Sequence, residues 1–217
     1  MEYSFDTAQS TPLCEIMGRY KSDKGHNNIQ DAWHNYTTFY YSVFKDIQGK
    51  NLRVFELGLG TNNTSVPSNM GADGVPGASL YGWREFFPNA QVFGADIDKV
   101  ILFNTDRIQT YFCDQTKPTI IQEMWNEPAL KENFDIIIED GLHEYSANVC
   151  FFENSIHKLK PFGYYVIEDI LNNDLNRFET KIKEWEIRYS DCLFQLIKLP
   201  STRNQTDNNL LFVYKKA

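Results

Sequence analysis

The run Phe134-Asp-Ile-Ile-Ile-Glu-Asp-Gly-Leu-His143 closes an apolar segment with an acid, a turn glycine and a histidine. A second run, Tyr164-Tyr-Val-Ile-Glu-Asp169, closes with paired carboxylates. Carboxylate oxygens are hard donors that suit Mg²⁺, Mn²⁺ or Ca²⁺. Asp140, Glu168 and Asp169 are therefore candidate metal ligands, and His143 is a candidate general base. An ion held there would lower the pKa of a chelated hydroxyl, and the imidazole would take its proton. Each residue taken singly has a plainer use. Asp140 can cap a turn or helix, Glu168-Asp169 can be a solvated strand end, and His143 can simply start a helix. Their joint occurrence is what favours the metal.

That chemistry requires two neighbouring strands whose carboxyl ends face one crevice, as in a parallel α/β sheet. From residue 50 onward, short apolar runs alternate with amphipathic stretches. Strands are expected at Arg53–Leu57, Gln91–Ala95, Ile108–Cys113, Phe134–Glu139 and Tyr164–Ile167. Helices are expected from Ser79, as N-cap, to Phe87, and from near Pro118. After His143, the steps Tyr145, Val149, Phe152, Ile156, Leu159 mark one helical face. Leu175, Phe178, Ile182, Trp185 and Tyr189 mark another. Residues 62–78 are rich in Asn, Gly, Ser and Pro and read as a long loop. Leu193–Leu199 and Asn209–Tyr214 read as a closing antiparallel hairpin. The expectation is a doubly wound, mostly parallel sheet of seven strands with helices on both faces. Residues 1–50 would be a short helical cap over the ligand edge, and 51–217 the sheet domain.

The bulk composition agrees with a globular chain. At 217 residues, with 42% hydrophobic and 15% aromatic content, it can bury a substantial core. A net charge of −8 argues against nucleic acid or an anionic membrane as partner, though a small anionic substrate is still compatible. No signal peptide or bilayer-length apolar segment is evident. Cys14, Cys113, Cys150 and Cys192 form no C-x-x-C pair, so free thiols in a reducing cytoplasm are expected.

Glu56-Leu-Gly-Leu-Gly60 follows the first strand, and its glycines allow close backbone approach to a ligand. A dinucleotide fingerprint would need a third glycine and an immediate helix. Residue 63 is Asn and a long loop intervenes, which disfavours a dehydrogenase. The acid before G-x-G instead resembles the first motif of class I S-adenosylmethionine-dependent methyltransferases. That resemblance implies a Rossmann-like sheet in which Glu56, Gly58 and Gly60 hold the methionine part of the cofactor. Asp96 would bond the ribose hydroxyls, and Asp114 with Gln115 would lie near the adenine.

Further motifs narrow the resemblance. Ser22-Asp-Lys-Gly25, His34-Asn-Tyr36 with Tyr40, Gly77-Ala-Ser-Leu80 with Trp83, Glu139–His143 and Tyr165–Asp169 are similar to the metal-dependent sugar O-methyltransferases of antibiotic deoxysugar tailoring, of mycinamicin and rhamnosyl type. The resemblance spans roughly residues 20 to 170. It implies Mg²⁺ on Asp140, Glu168 and Asp169, His143 as base, and cofactor contacts at Lys24 and Ser79. Glu139 stands where the family often has aspartate and is expected to face away from the metal. The family's antibiotic enzymes carry a longer N-terminal region, so the acceptor here is open to be a smaller sugar, including a nucleotide-linked or polysaccharide-precursor one. A catechol-type O-methyltransferase and a non-catalytic cofactor-binding module stay as alternatives, and a homo-oligomer is compatible. Tyr36 and Tyr40 are expected mainly to pack, His34 to approach the site, His26 to lie in a loop near ligand, and His157 to face solvent.

Overall fold

The computed structural model describes residues 3–217. Its sheet has eight strands: β1 (Arg53–Leu57), β2 (Gln91–Asp96), β3 (Asn104–Thr105), β4 (Ile108–Phe112), β5 (Phe134–Glu139), β6 (Leu159–Ile167), β7 (Cys192–Lys198) and β8 (Asn209–Lys215). Their order is β3-β4-β2-β1-β5-β6-β8-β7. β4, β2, β1, β5 and β6 run parallel. β8 is antiparallel to β6, and β7 and β8 form the expected hairpin. The strand beyond the expected seven is β3, a two-residue segment antiparallel to β4. It is too short and too exposed to leave a hydrophobic signal in the sequence.

From β1 the chain winds outward through β2 and β4, then returns to β5 on the other side of β1. The strand order reverses between β1 and β5, where ligands bind in open α/β sheets. β5 and β6 are adjacent, with Glu139 opposite Ile167, so their terminal acids lie side by side.

Helices cover both faces, and alternation along the buried strands feeds both layers. Val54, Val92, Ile136, Ile138 and Val166 pack under α1 (Pro12–Tyr20), α2 (Tyr36–Phe44) and α3 (Ala78–Phe86). Phe55, Phe93, Ile137, Tyr165 and Ile167 pack under α4 (Pro118–Trp125), α5 (Tyr145–Ser155) and α6 (Leu175–Arg188). Thr11 caps α1 by accepting from the Cys14 amide, and Pro12 starts it.

Two helix boundaries differ from the sequence reading. α3 starts at Ala78, with Gly77 in the left-handed region as its cap, so Ser79 lies inside the first turn. α5 ends at Ser155, and Leu159 already belongs to β6. The buried side of α5 is Ala147, Asn148, Phe151, Phe152 and Ser155, while Tyr145 and Val149 are only partly covered. No helix among the described residues is long and apolar enough to cross a membrane, and all four cysteines are free thiols.

Candidate active site

The site begins where the backbone ladder runs past the strand ends. Gly58 N–H donates to the Ala95 carbonyl at 2.8 Å, Asp140 N–H to Leu57 at 2.8 Å, and Glu168 N–H to Glu139 at 2.9 Å. Each acid is therefore seated on rigid sheet. Gly58 has φ 90°, and a Cβ there would overlap the Asp140 carbonyl. Only glycine lets the turn after β1 pass against the end of β5.

On the β1-β2-β4 side, mainly neutral donors hold the acids, with Lys117 beside Asp114 and Lys24 near Glu56. Asp96 accepts from the amides of Leu59 at 2.7 Å and Asp98 at 2.8 Å. Burial holds its carboxyl above the usual range in spite of these bonds. Asp114 accepts from the Thr116 hydroxyl at 2.6 Å and lies 2.9 Å from the Lys117 ammonium. Burial alone would raise it, but these bonds outweigh burial and keep it below the usual range. Glu56 is fully buried and accepts from the Ser79 hydroxyl and the Trp83 indole N–H.

The β5-β6 side is different. Oxygens of Asp140 and Asp169 and a ring nitrogen of His143 all lie within 4.8 Å of one another. His143 Nε2 is 3.1 Å from Asp140 Oδ1 and 3.2 Å from Asp169 Oδ2. His143 and Asp169 both have left-handed backbones, φ 58° and 54°, a strain that fixes where their side chains point. Burial disfavours the His143 cation, yet the carboxylates of Asp169 and Asp140 outweigh it and raise the ring to about 10. Asp140 is held well below the usual range: burial opposes this, but Lys24 and His143 prevail. Glu168 and Asp169 are both pushed up, chiefly by burial.

Three groups from the N-terminal segment reach into this cluster. Tyr36 and Tyr40 lie one helical turn apart on α2, on the same face. The Tyr36 hydroxyl donates to Asp169 Oδ1 at 2.5 Å, and the Tyr40 hydroxyl to Glu168 Oε1 at 2.5 Å. Lys24 Nζ lies 2.5 Å from Asp140 Oδ2, 2.5 Å from Glu168 Oε2 and 3.5 Å from Glu56 Oε1. The two tyrosines are thus site residues as well as packing residues. An i, i+4 tyrosine pair ahead of a predicted acid pair was the available signal.

A cavity of about 280 Å³ opens over these strand ends. It is lined by Lys24, Gly58, Gly60, Ser79, Asp96, Asp114, Gln115, Asp140, His143 and Asp169, so ten of the sequence-derived candidates meet there. Glu56 and Glu168, 0% and 1% exposed, lie behind the wall and act on it through their partners. Glu139 accepts from the Gln115 side-chain amide at 2.8 Å, away from the Asp140–His143–Asp169 cluster. The loop 62–78 forms one wall through Val66, Pro67, Ser68, Asn69, Met70 and Val75. Buried His34 is 3.4 Å from Asp169 Oδ1 and reaches the site, whereas His26 and His157 are exposed and do not line the cavity. Trp33, 52% exposed, stands at the mouth, and nothing in the sequence distinguished it from its aromatic neighbours.

Asp140 and Asp169 fit a divalent cation: their convergent carboxylates are hard donors, one part-buried and one buried, and the His143 ring nitrogen lies beside them.

The sheet order, the glycine turn and the acids at successive strand ends define the class I methyltransferase fold. Among solved structures, the MycE methyltransferase from the mycinamycin biosynthetic pathway, in complex with Mg and SAH, superposes with a TM-score of 0.72 at 24% identity. That match covers 96% of this chain and 56% of MycE. In sequence, the chain is 29% identical over 164 residues to the 8-demethyl-8-(2-methoxy-alpha-L-rhamnosyl)-tetracenomycin-C 3'-O-methyltransferase of Streptomyces olivaceus, covering 76% of this chain and 38% of the relative. It is 31% identical over 158 residues to the mycinamicin VI 2''-O-methyltransferase of Micromonospora griseorubida, covering 73% and 36%. The chain spans little more than a third of the length of these curated relatives. No family model matches it.

Proposed function

We propose that this chain is an S-adenosylmethionine-dependent O-methyltransferase acting on a sugar hydroxyl with the help of a divalent metal, Mg²⁺ first among the candidates. The observation that carries this reading is the adjacency, across one cavity, of the glycine turn with Asp96 and Asp114 and a part-buried Asp140–His143–Asp169 cluster. Asp96 would take the ribose hydroxyls, since a carboxylate accepts two hydroxyl donors well, and Asp114 would lie near the adenine end. Asp140 and Asp169 would hold the metal, with Glu168 just behind them, engaged by Lys24 and Tyr40. The bound ion would supply Lewis-acid polarisation of the acceptor's hydroxyls. His143 would be the base that takes the acceptor hydroxyl's proton, while the cofactor, when bound, would supply the methyl group and leave as S-adenosylhomocysteine. The two aspartates that keep its ring protonated are also the proposed ligands, so compensation of their charge frees the ring to act.

The cavity lining also bears on the acceptor. Six aspartates (23, 96, 114, 140, 169 and 207) line it against one lysine and no arginine. Lys24 is already spent on carboxylates, so among the described lining residues no side-chain cation is left for a nucleotide diphosphate. An uncharged glycoside fits better, with exposed Trp33 offering a ring face to the sugar. The free thiols accord with action in the cytoplasm. Mass spectrometry of reactions with methyl-labelled cofactor tests the reading, using neutral glycosides, nucleotide sugars and catechols as acceptors. Label on a neutral glycoside is expected. Label on catechols alone would replace the sugar reading, and cofactor binding with no label on any acceptor would favour a non-catalytic module.

A further inference from the structure

We infer that Lys24 is a built-in cation that sets how tightly the divalent metal is held, by occupying Glu168 and one oxygen of Asp140 so that only part of the acidic cluster faces the ion. The inference rests on the metal site proposed above. Lys24 is 2% exposed, a rare state for a lysine unless it is paired. Its ammonium pairs with acids at or near the ends of three adjacent strands: Glu56 near the end of β1, Asp140 just after β5 and Glu168 just after β6. The division of oxygens is specific. Lys24 takes Asp140 Oδ2 and Glu168 Oε2, while Asp140 Oδ1 and Asp169 Oδ2 face the His143 ring. Tyr40 occupies the other oxygen of Glu168, so both of that residue's oxygens are engaged.

Four carboxylates, Glu56, Asp140, Glu168 and Asp169, would otherwise repel one another in a buried volume, where charge interactions are weakly screened. A fixed ammonium relieves that repulsion and holds the cluster in shape without metal. The same charge opposes a divalent ion on the far oxygen of Asp140. Lys24 therefore preserves the site while weakening its grip on the ion, which suits a metal that must also accept and release substrate oxygens. It is a positioning residue, since it acts through Asp140 and Glu168.

Calorimetric titration of the full chain with Mn²⁺ alone tests this, with circular dichroism melts to establish that each variant is folded. Wild type should bind one ion. Lys24→Met should bind Mn²⁺ about tenfold more tightly or better, because a like charge has gone and Oε2 of Glu168 is released. Should that variant fail to fold, Lys24→Met/Glu56→Gln keeps the net charge of the cluster and still frees Glu168 and Asp140, so its affinity should also exceed wild type. Either folded variant binding Mn²⁺ no more tightly than wild type would overturn the role of Lys24, because a purely structural lysine predicts unchanged or weaker binding. Absence of Mn²⁺ binding by folded wild type would instead overturn the metal site, and the inference with it.

Discussion

The two halves of the crevice hold their carboxylates by different means. At the ends of β1, β2 and β4, Glu56, Asp96 and Asp114 rest mainly on amides, hydroxyls and an indole N–H. At the ends of β5 and β6, Asp140, Glu168 and Asp169 lean on an ammonium, an imidazole and two phenols. Neutral donors fix a carboxylate's direction while leaving its charge available to a polar ligand. Cationic partners balance charge, and a metal could share that balance. On the proposed function, the first half would hold one molecule in one pose and the second would exchange cations and protons. The left-handed backbones of His143 and Asp169 fall in the second half.

If that division is right, damage to one half should leave the other working. His143→Ala should lower methyl transfer by about 10²–10⁴-fold, the usual contribution of a positioned general base. Equilibrium dialysis of labelled cofactor should show its affinity preserved, and normal turnover would remove His143 from the chemistry.

Glu139 stitches the halves together, and its effect should appear in stability. It is buried, it accepts from Gln115, and its Oε2 has no hydrogen-bond partner among the described residues. Burial is the main cause that raises its carboxyl to about 7. A raised carboxyl contributes its full share of stability below the ordinary value near 4.5 and loses it as pH climbs to about 7. Glu139→Gln mimics the neutral acid. In urea melts it should match wild type at pH 4 and exceed it at pH 8, by on the order of 3 kcal/mol at most. A pH-independent difference would contradict the buried-acid account.

On the cofactor half, Asp96→Ala should weaken binding of the product S-adenosylhomocysteine by about ten- to a hundredfold, since hydrogen bonds to a charged group are lost. Mn²⁺ affinity should stay the same, and a parallel loss of metal would show that the halves are one unit. The smallest effect belongs to Trp33, the one tryptophan of four that is well exposed. Trp33→Ala should raise KM for a glycoside acceptor roughly fivefold, by analogy with ring contacts worth about 1 kcal/mol. Its kcat should hold, and an unchanged KM would take the ring out of acceptor recognition.

Local pattern carried the strand ends well. Asp96, Asp114, Asp140 and Asp169 could be read from the sequence because each closes or follows an apolar run, and period-2 burial dictates the sheet that gathers them. The glycine turn was equally local. What remained hidden came from far along the chain. Lys24 meets acids 116 and 144 residues away, and Tyr36 meets Asp169 across 133. No local periodicity encodes such pairings, because they depend on how α2 and the segment before it settle over the sheet. The engagement of Glu168 by Lys24 and Tyr40 was invisible for the same reason, as was Trp33 at the cavity mouth. Strand β3 escaped because two exposed residues carry no pattern.

On the proposed function, the acidic half of the crevice works through a divalent cation. The most direct measurement is the initial rate of label transfer from methyl-labelled S-adenosylmethionine to a neutral glycoside, with Mg²⁺ present, after EDTA, and after Mg²⁺ is restored. The rate should collapse with EDTA and return with Mg²⁺, while cofactor binding stays constant throughout. A rate indifferent to EDTA would contradict the account and leave Asp140, Glu168 and Asp169 as structural acids.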